Sequence, residues 1–163
     1  MSVLKWLVVG FVALVLISLL AGRLGLLQGK PPSNLGVRDG RLKPPAKTPN
    51  SVSSQALLYP DHPRRDFAQI EPLPIKGDGP ATLARLRRIV EALPGAQVVK
   101  SEPDYLYAQF TTPLMRFVDD VEFWFDPAAG RVQVRSASRV GHGDRGLNRA
   151  RVEDIRTRLA EAP

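Results

Sequence analysis

Val118-Asp119-Asp120-Val121-Glu122-Phe123-Trp124-Phe125-Asp126 is followed, after Pro127-Ala128-Ala129-Gly130, by Arg131-Val132-Gln133-Val134-Arg135-Ser136-Ala137-Ser138-Arg139. Successive side chains of a strand point to opposite faces, so this period of two predicts two antiparallel strands joined by a short loop. Val121, Phe123 and Phe125 face one way and Asp120, Glu122 and Trp124 the other; Val132 and Val134 alternate with Gln133 and Arg135. One face is therefore core and the other polar. If Asp126 and Arg131 close the loop, Glu122 faces Arg135 and Asp120 faces Ala137, with Arg139 diagonal to it.

Two more runs of the same period, 97–102 and 105–112, precede this hairpin. Before them, Asp78-Gly79-Pro80 combines a cap residue with a first-turn proline, and Leu83, Leu86, Val90 and Leu93 recur at helical spacing until Pro94-Gly95. Arg85, Arg87 and Arg88 fall largely off that stripe and read as a solvated face. After the hairpin, Asn148 is placed to cap a last helix in which Val152, Ile155 and Leu159 form the apolar stripe. The expected fold is α+β: a four-stranded antiparallel sheet flanked by two helices, with its second face free or covered by the preceding segment.

That segment, residues 28–80, holds ten of the fifteen prolines. Proline removes backbone donors and forbids long helices, so the stretch reads as linker and strap. Further back, Trp6 to Gly22 is uncharged, with Ser18 its one polar side chain. At a rise of roughly 1.5 Å per residue it nearly spans a bilayer. An uncleaved transmembrane helix is favoured over a cleavable secretory signal, because the region around Ala21-Gly22 offers a poor cleavage site. The expected organisation is a transmembrane anchor at 4–27, a flexible, basic, proline-rich linker at 28–49 and an α+β domain with an N-terminal strap at 50–162. Sidedness carries two conflicting signals. Arg23, Lys30, Arg38, Arg41 and Lys43 follow the span and favour a cytoplasmic domain, whereas the short, signal-like amino terminus favours export.

The chain of 163 residues is too short for two sizeable cores, and its 23 Lys and Arg against 16 Asp and Glu leave +7. Zero cysteines exclude disulfides, thiolate metal sites and cysteine nucleophiles, and two histidines leave little for metal binding. No cofactor and no metal is expected. Nucleic acid is disfavoured as a partner, since Tyr105, Tyr107, Phe110 and Phe123 fit strand and core positions rather than a stacking platform. A nearer anion for the basic linker is the lipid headgroup, with an envelope protein or an anionic small ligand as further candidate partners.

Polar residues that could carry function crowd together in sequence: Asp119, Asp120, Glu122, Arg135, Ser136, Ser138, Arg139, Asp144, Asn148, Arg149 and Arg151. Arginine offers a planar fork of donors to carboxylate or phosphate, so these are candidate polar or anion-binding residues. The competing interpretation is a structural network in which the acids and arginines neutralise each other. No catalytic residue is assigned. A hydrolase using Ser138, His142 and Asp144 is the alternative class, on residue types alone and without a nucleophile-elbow pattern.

Asn34-Leu35-Gly36, Asp39-Gly40-Arg41-Leu42, Pro49-Asn50-Ser51-Val52-Ser53-Ser54, Phe117-Val118-Asp119-Asp120-Val121-Glu122-Phe123, Arg135-Ser136-Ala137-Ser138-Arg139-Val140-Gly141 and Asn148-Arg149-Ala150-Arg151-Val152-Glu153-Asp154-Ile155-Arg156 together resemble the bacterial family DUF1499, a domain of unknown function. The likeness runs from about residue 34 to about residue 160. It implies an exported or membrane-anchored envelope protein and tilts the sidedness toward the periplasm. With the uncharged span, the proline-rich tether and one small fold, the expectation is a single-pass inner-membrane protein with a periplasmic domain and a non-catalytic binding or accessory role. Where the family tends to place cysteines, in and before its Asn-Cys-Val-Ser-Ser stretch, Pro45 and Ser51 stand in this chain, so no thiol, disulfide or lipid-bearing cysteine carries over.

Overall fold

The computed structural model describes residues 2–162. In chain order it contains α1 (Val3–Arg23), β1 (Ser51–Ser53), a 3-10 turn (Ala56–Leu58), α2 (Arg65–Ala68), α3 (Gly79–Glu91), β2 (Ala96–Ser101), β3 (Tyr105–Thr111), β4 (Val118–Asp126), β5 (Arg131–Ser138) and α4 (Leu147–Glu161). The strands form one antiparallel sheet in the order β1-β5-β4-β3-β2. The fold is α+β, but the sheet has five strands rather than the expected four. The added strand, β1, comes from the proline-rich strap: Ser51 pairs with Ala137 and Ser53 with Arg135, covering the outer edge of β5. Three residues are too few to display a period, which hides such a strand in the sequence.

The β4–β5 hairpin has the expected register, with Glu122 opposite Arg135, Asp120 opposite Ala137 and Asp126 opposite Arg131. Its apolar face carries Val121, Phe123, Val132 and Val134, all fully buried, and α3 and α4 pack on that face. The Asp78 side chain caps α3 by accepting a 2.7 Å bond from the Ala81 amide, and Leu83, Leu86 and Val90 face the core. Val152, Ile155 and Leu159 make the matching stripe of α4. Burying each such side chain contributes about 1.5–3 kcal/mol, so this layer dominates stability. The approach of α3 to the sheet depends on Gly79, where a Cβ would come within 2.3 Å of the Phe125 ring.

The opposite face is covered by the strap. Leu42 is buried against Tyr105, Tyr107 and Trp124, with Leu35 and Val37 packed beside them. Leu35, Val37 and Leu42 lie within the stretch read as a tether, 28–49; from Gly36, whose amide bonds Glu122, to Ala46, whose amide bonds Ser51, it is fastened to the domain. Pairing Leu73 with Val132 through two main-chain bonds pins the later strap to β5.

At the amino terminus, α1 has 21 residues and a mean hydropathy of 2.6 over its most apolar window, none of it buried in the protein. It is long and apolar enough to cross a membrane, a property that single-pass anchors share with export signals. Its carboxyl end meets the domain: a Cβ on Gly22 would stand 2.8 Å from the Met115 carbonyl oxygen.

Candidate functional site

The strand pleat divides the acids that lie so close in sequence. Asp119 points to the helix face with Val121, whereas Asp120 and Glu122 point to the strap face. Two polar groups result, on opposite sides of one sheet.

On the helix face, Arg151 of α4 donates from Nη2 to Asp119 Oδ2 at 2.6 Å and from Nη1 to Asn148 Oδ1 at 2.8 Å and Ser136 Oγ at 3.2 Å. Its guanidinium also stacks 4.6 Å above the Phe110 ring centroid. The Asn148 amide group donates to the Asn50 carbonyl, Ser138 Oγ and Asp144 Oδ2. Asn148 was expected to cap α4, but it lies one position inside the helix with its side chain buried beneath it. Asp144 supplies the missing acceptors instead, taking the Gly146 and Asn148 amides at 2.9 Å each. Burial pushes the Asp144 carboxyl up, yet those amides and the Asn148 side chain outweigh it, leaving its pKa below the ordinary value.

On the strap face, Arg139 grips Asp120 with two bonds, Nε to Oδ2 at 2.9 Å and Nη2 to Oδ1 at 2.7 Å, and the Tyr107 hydroxyl donates to the same carboxylate. The hydrogen bond to Asp120 holds the Arg139 guanidinium above its ordinary pKa. Beside it, Glu122 Oε1 accepts from the Gly36 amide at 2.7 Å and the Tyr105 hydroxyl at 2.8 Å. Glu122 Oε2 has no hydrogen-bond partner among the described residues and stands 3.7 Å from Arg135 Nη1. Arg135 spends its Nε on the Pro44 carbonyl, and burial lowers its pKa against the attraction of Glu122 and Asp120. Burial and the Glu122 carboxylate together push the Tyr105 phenol well up, so it stays a donor.

Arg149 joins neither group; it donates to the Gln69 and Phe67 carbonyls and clamps α2 and its exit to α4. The residues of the hydrolase reading do not assemble. Ser138 Oγ accepts from Asn148, Asp144 is held by backbone amides, and exposed His142 bonds to neither among the described residues. General base catalysis needs a base within hydrogen-bond reach of the nucleophile, and among the described residues neither His142 nor Asp144 bonds Ser138. Each carboxylate of the candidate set faces an arginine or a row of amides.

A basic notch lies outside the cluster predicted from the sequence. Arg38, Arg41 and Lys43, with Asn34, Asp39 and Tyr59, line an open cavity of about 350 Å³ over the strap. Among the described residues, none of these three cations forms a salt bridge. Arg41 lies 5.8 Å from the Tyr59 ring centroid, and Lys43 Nζ donates to Asn34 Oδ1 at 2.7 Å. Burial, and then the Arg135 guanidinium below, lowers the Lys43 pKa. The readable signal was Asp39-Gly40. Both have positive φ, 51° and 68°, the two-residue hairpin turn that turns Arg38 back onto Arg41.

The model of a family described as "Protein of unknown function (DUF1499)" matches residues 41–159. The chain belongs to the DUF1499 family. The DUF1499 match takes in the whole sheet, α3, α4 as far as Leu159, the three buried acid–arginine pairs, and Arg41 and Lys43 of the notch. No curated protein and no solved structure matches the chain.

Proposed function

We propose that this DUF1499 protein is a non-catalytic, membrane-tethered envelope domain that binds an anionic polar group in the notch of Arg38, Arg41 and Lys43. The observation that carries this reading is the imbalance of charge there: three cations line an accessible cavity with Asp39 as the one acid among them. Glu122 and Arg135, which bond the Gly36 amide and the Pro44 carbonyl, hold the strap, and thereby the notch, on the sheet. Residues 4–27 act as the anchor and 50–162 as the domain, with 28–49 closing over it; the family resemblance favours the periplasmic side of the inner membrane.

Two experiments test this. Inorganic phosphate titrated into the full chain in non-ionic detergent is expected to raise the melting temperature saturably, and Arg41→Ala/Lys43→Ala is expected to lose the rise while melting as the wild type without phosphate. An equal rise in the double variant removes the notch from the account. A reporter active only outside the cytoplasm, fused after residue 163, is expected to be active; silence from a stable, membrane-inserted fusion defeats the exported placement.

A further inference from the structure

We infer that the cavity at the junction of α1 and the domain receives an acyl chain of a glycerophospholipid from the surrounding bilayer. This rests on the membrane-tethered reading of α1 and concerns a site separate from the basic notch. The cavity has a volume of about 440 Å³, within the range of roughly 300–1,000 Å³ usual for small-ligand pockets. Its walls are mainly apolar: Leu26 and Leu27 just past α1, Phe117 before β4, Val140 after β5 and Leu147 at the start of α4. The acids in its wall are already engaged, Asp119 by Arg151 and Asp144 by the amides of Gly146 and Asn148. What they leave for an occupant is hydrocarbon surface, with exposed Arg145, which forms no salt bridge among the described residues, on the lining.

The position of the cavity selects the occupant. The 21 residues of α1 extend about 31 Å at the helical rise, close to the ~30 Å hydrocarbon thickness, so Arg23 falls at the headgroup boundary. Gly22 abuts the Met115 main chain, which brings the 112–117 turn to the same level. Around it Leu24, Leu26 and Leu114 are 66%, 72% and 68% exposed, far more apolar surface than water favours at one end of a small domain. In a bilayer these leucines enter the interfacial layer, and the cavity they border lies where an acyl chain can bend into it. Arg145 is then suited to the phosphate of the same lipid.

The test uses the full chain in vesicles of phosphatidylethanolamine and phosphatidylglycerol that carry a phospholipid with a diazirine at the end of one acyl chain. After irradiation, labelled peptides are mapped by mass spectrometry. The expected result is label on Phe117, Val140 and Leu147 as well as on α1, with the cavity label falling several-fold in Leu147→Trp, a half-exposed position where the larger ring fills the space, and the α1 label unchanged. Label on α1, Leu24 and Leu114 but not on the cavity wall overturns the inference and leaves the tether standing. Cavity label that Leu147→Trp does not reduce also overturns it, since the chain then only grazes the surface. An unlabelled α1 removes the tether, and this inference with it.

Discussion

Glu122 and Arg135 stand directly opposite each other across β4 and β5, yet their nearest charged atoms are 3.7 Å apart, while Asp120 and the diagonally placed Arg139 meet at 2.7 Å. The facing pair is the looser because each partner has another commitment: Arg135 bonds the Pro44 carbonyl and Glu122 bonds Gly36 and Tyr105. The Pro44 and Gly36 bonds tie strap to sheet. The diagonal pair has a bidentate geometry and almost no exposure, which makes it the stronger electrostatic contact.

Removing Arg139 is accordingly expected to cost more than neutralising Glu122. Arg139→Ala leaves Asp120 buried and charged, which typically costs about 3–5 kcal/mol. Glu122→Gln keeps an acceptor for Gly36 and Tyr105 and is expected to cost about 1–3 kcal/mol. Denaturant unfolding of the full chain in detergent compares them; equal, negligible losses contradict a structural role for both.

Asp144 gives a dependence on pH. Its folded pKa is depressed, so its stabilising contribution is complete above the unfolded carboxylate value of about 3.9 and is lost as pH falls through the lower folded value. The Asp144→Asn variant lacks that ionic contribution. Wild type is therefore expected to be the more stable by a constant margin from neutral pH down to about 4, with the margin closing below that. Unfolding both proteins across this range is the check, and a margin that widens in acid contradicts it.

Gly79→Ala is expected to destabilise by about 1–3 kcal/mol, because the new methyl meets the Phe125 ring and forces α3 off the sheet. Phe125→Leu in the same chain should recover part of the loss. A single variant that unfolds like the wild type would show that the approach of α3 has room to spare.

Much of this fold was legible because long, regular patterns carry it. The β4–β5 register followed from alternation plus a loop closed by Asp126 and Arg131, and α3 from the Asp78 cap and its apolar stripe. β1 was not legible, since Ser51-Val52-Ser53 is a strand only through its pairing with β5. The candidate site was half legible. Sequence density grouped Asp119 with Asp120, although the same alternation that revealed the strand puts neighbours on opposite faces. Asn148 and Asp144 are both cap-forming types, and only the burial of Asn148 between β5 and α4 decides which one caps. The basic notch escaped because it depends on the Asp39-Gly40 turn and on strap packing that no periodic pattern announces.

The central claim divides the arginines into a frame and a binding surface, and nitrogen–proton NMR of the arginine Nε–H groups, followed during titration of inorganic phosphate into the full chain in detergent micelles, tests it most directly. The account predicts saturable movement of the Arg38 and Arg41 signals, with those of Arg139 and Arg151 fixed by their carboxylates. Movement of Arg139 or Arg151 while Arg38 and Arg41 stay still would contradict it.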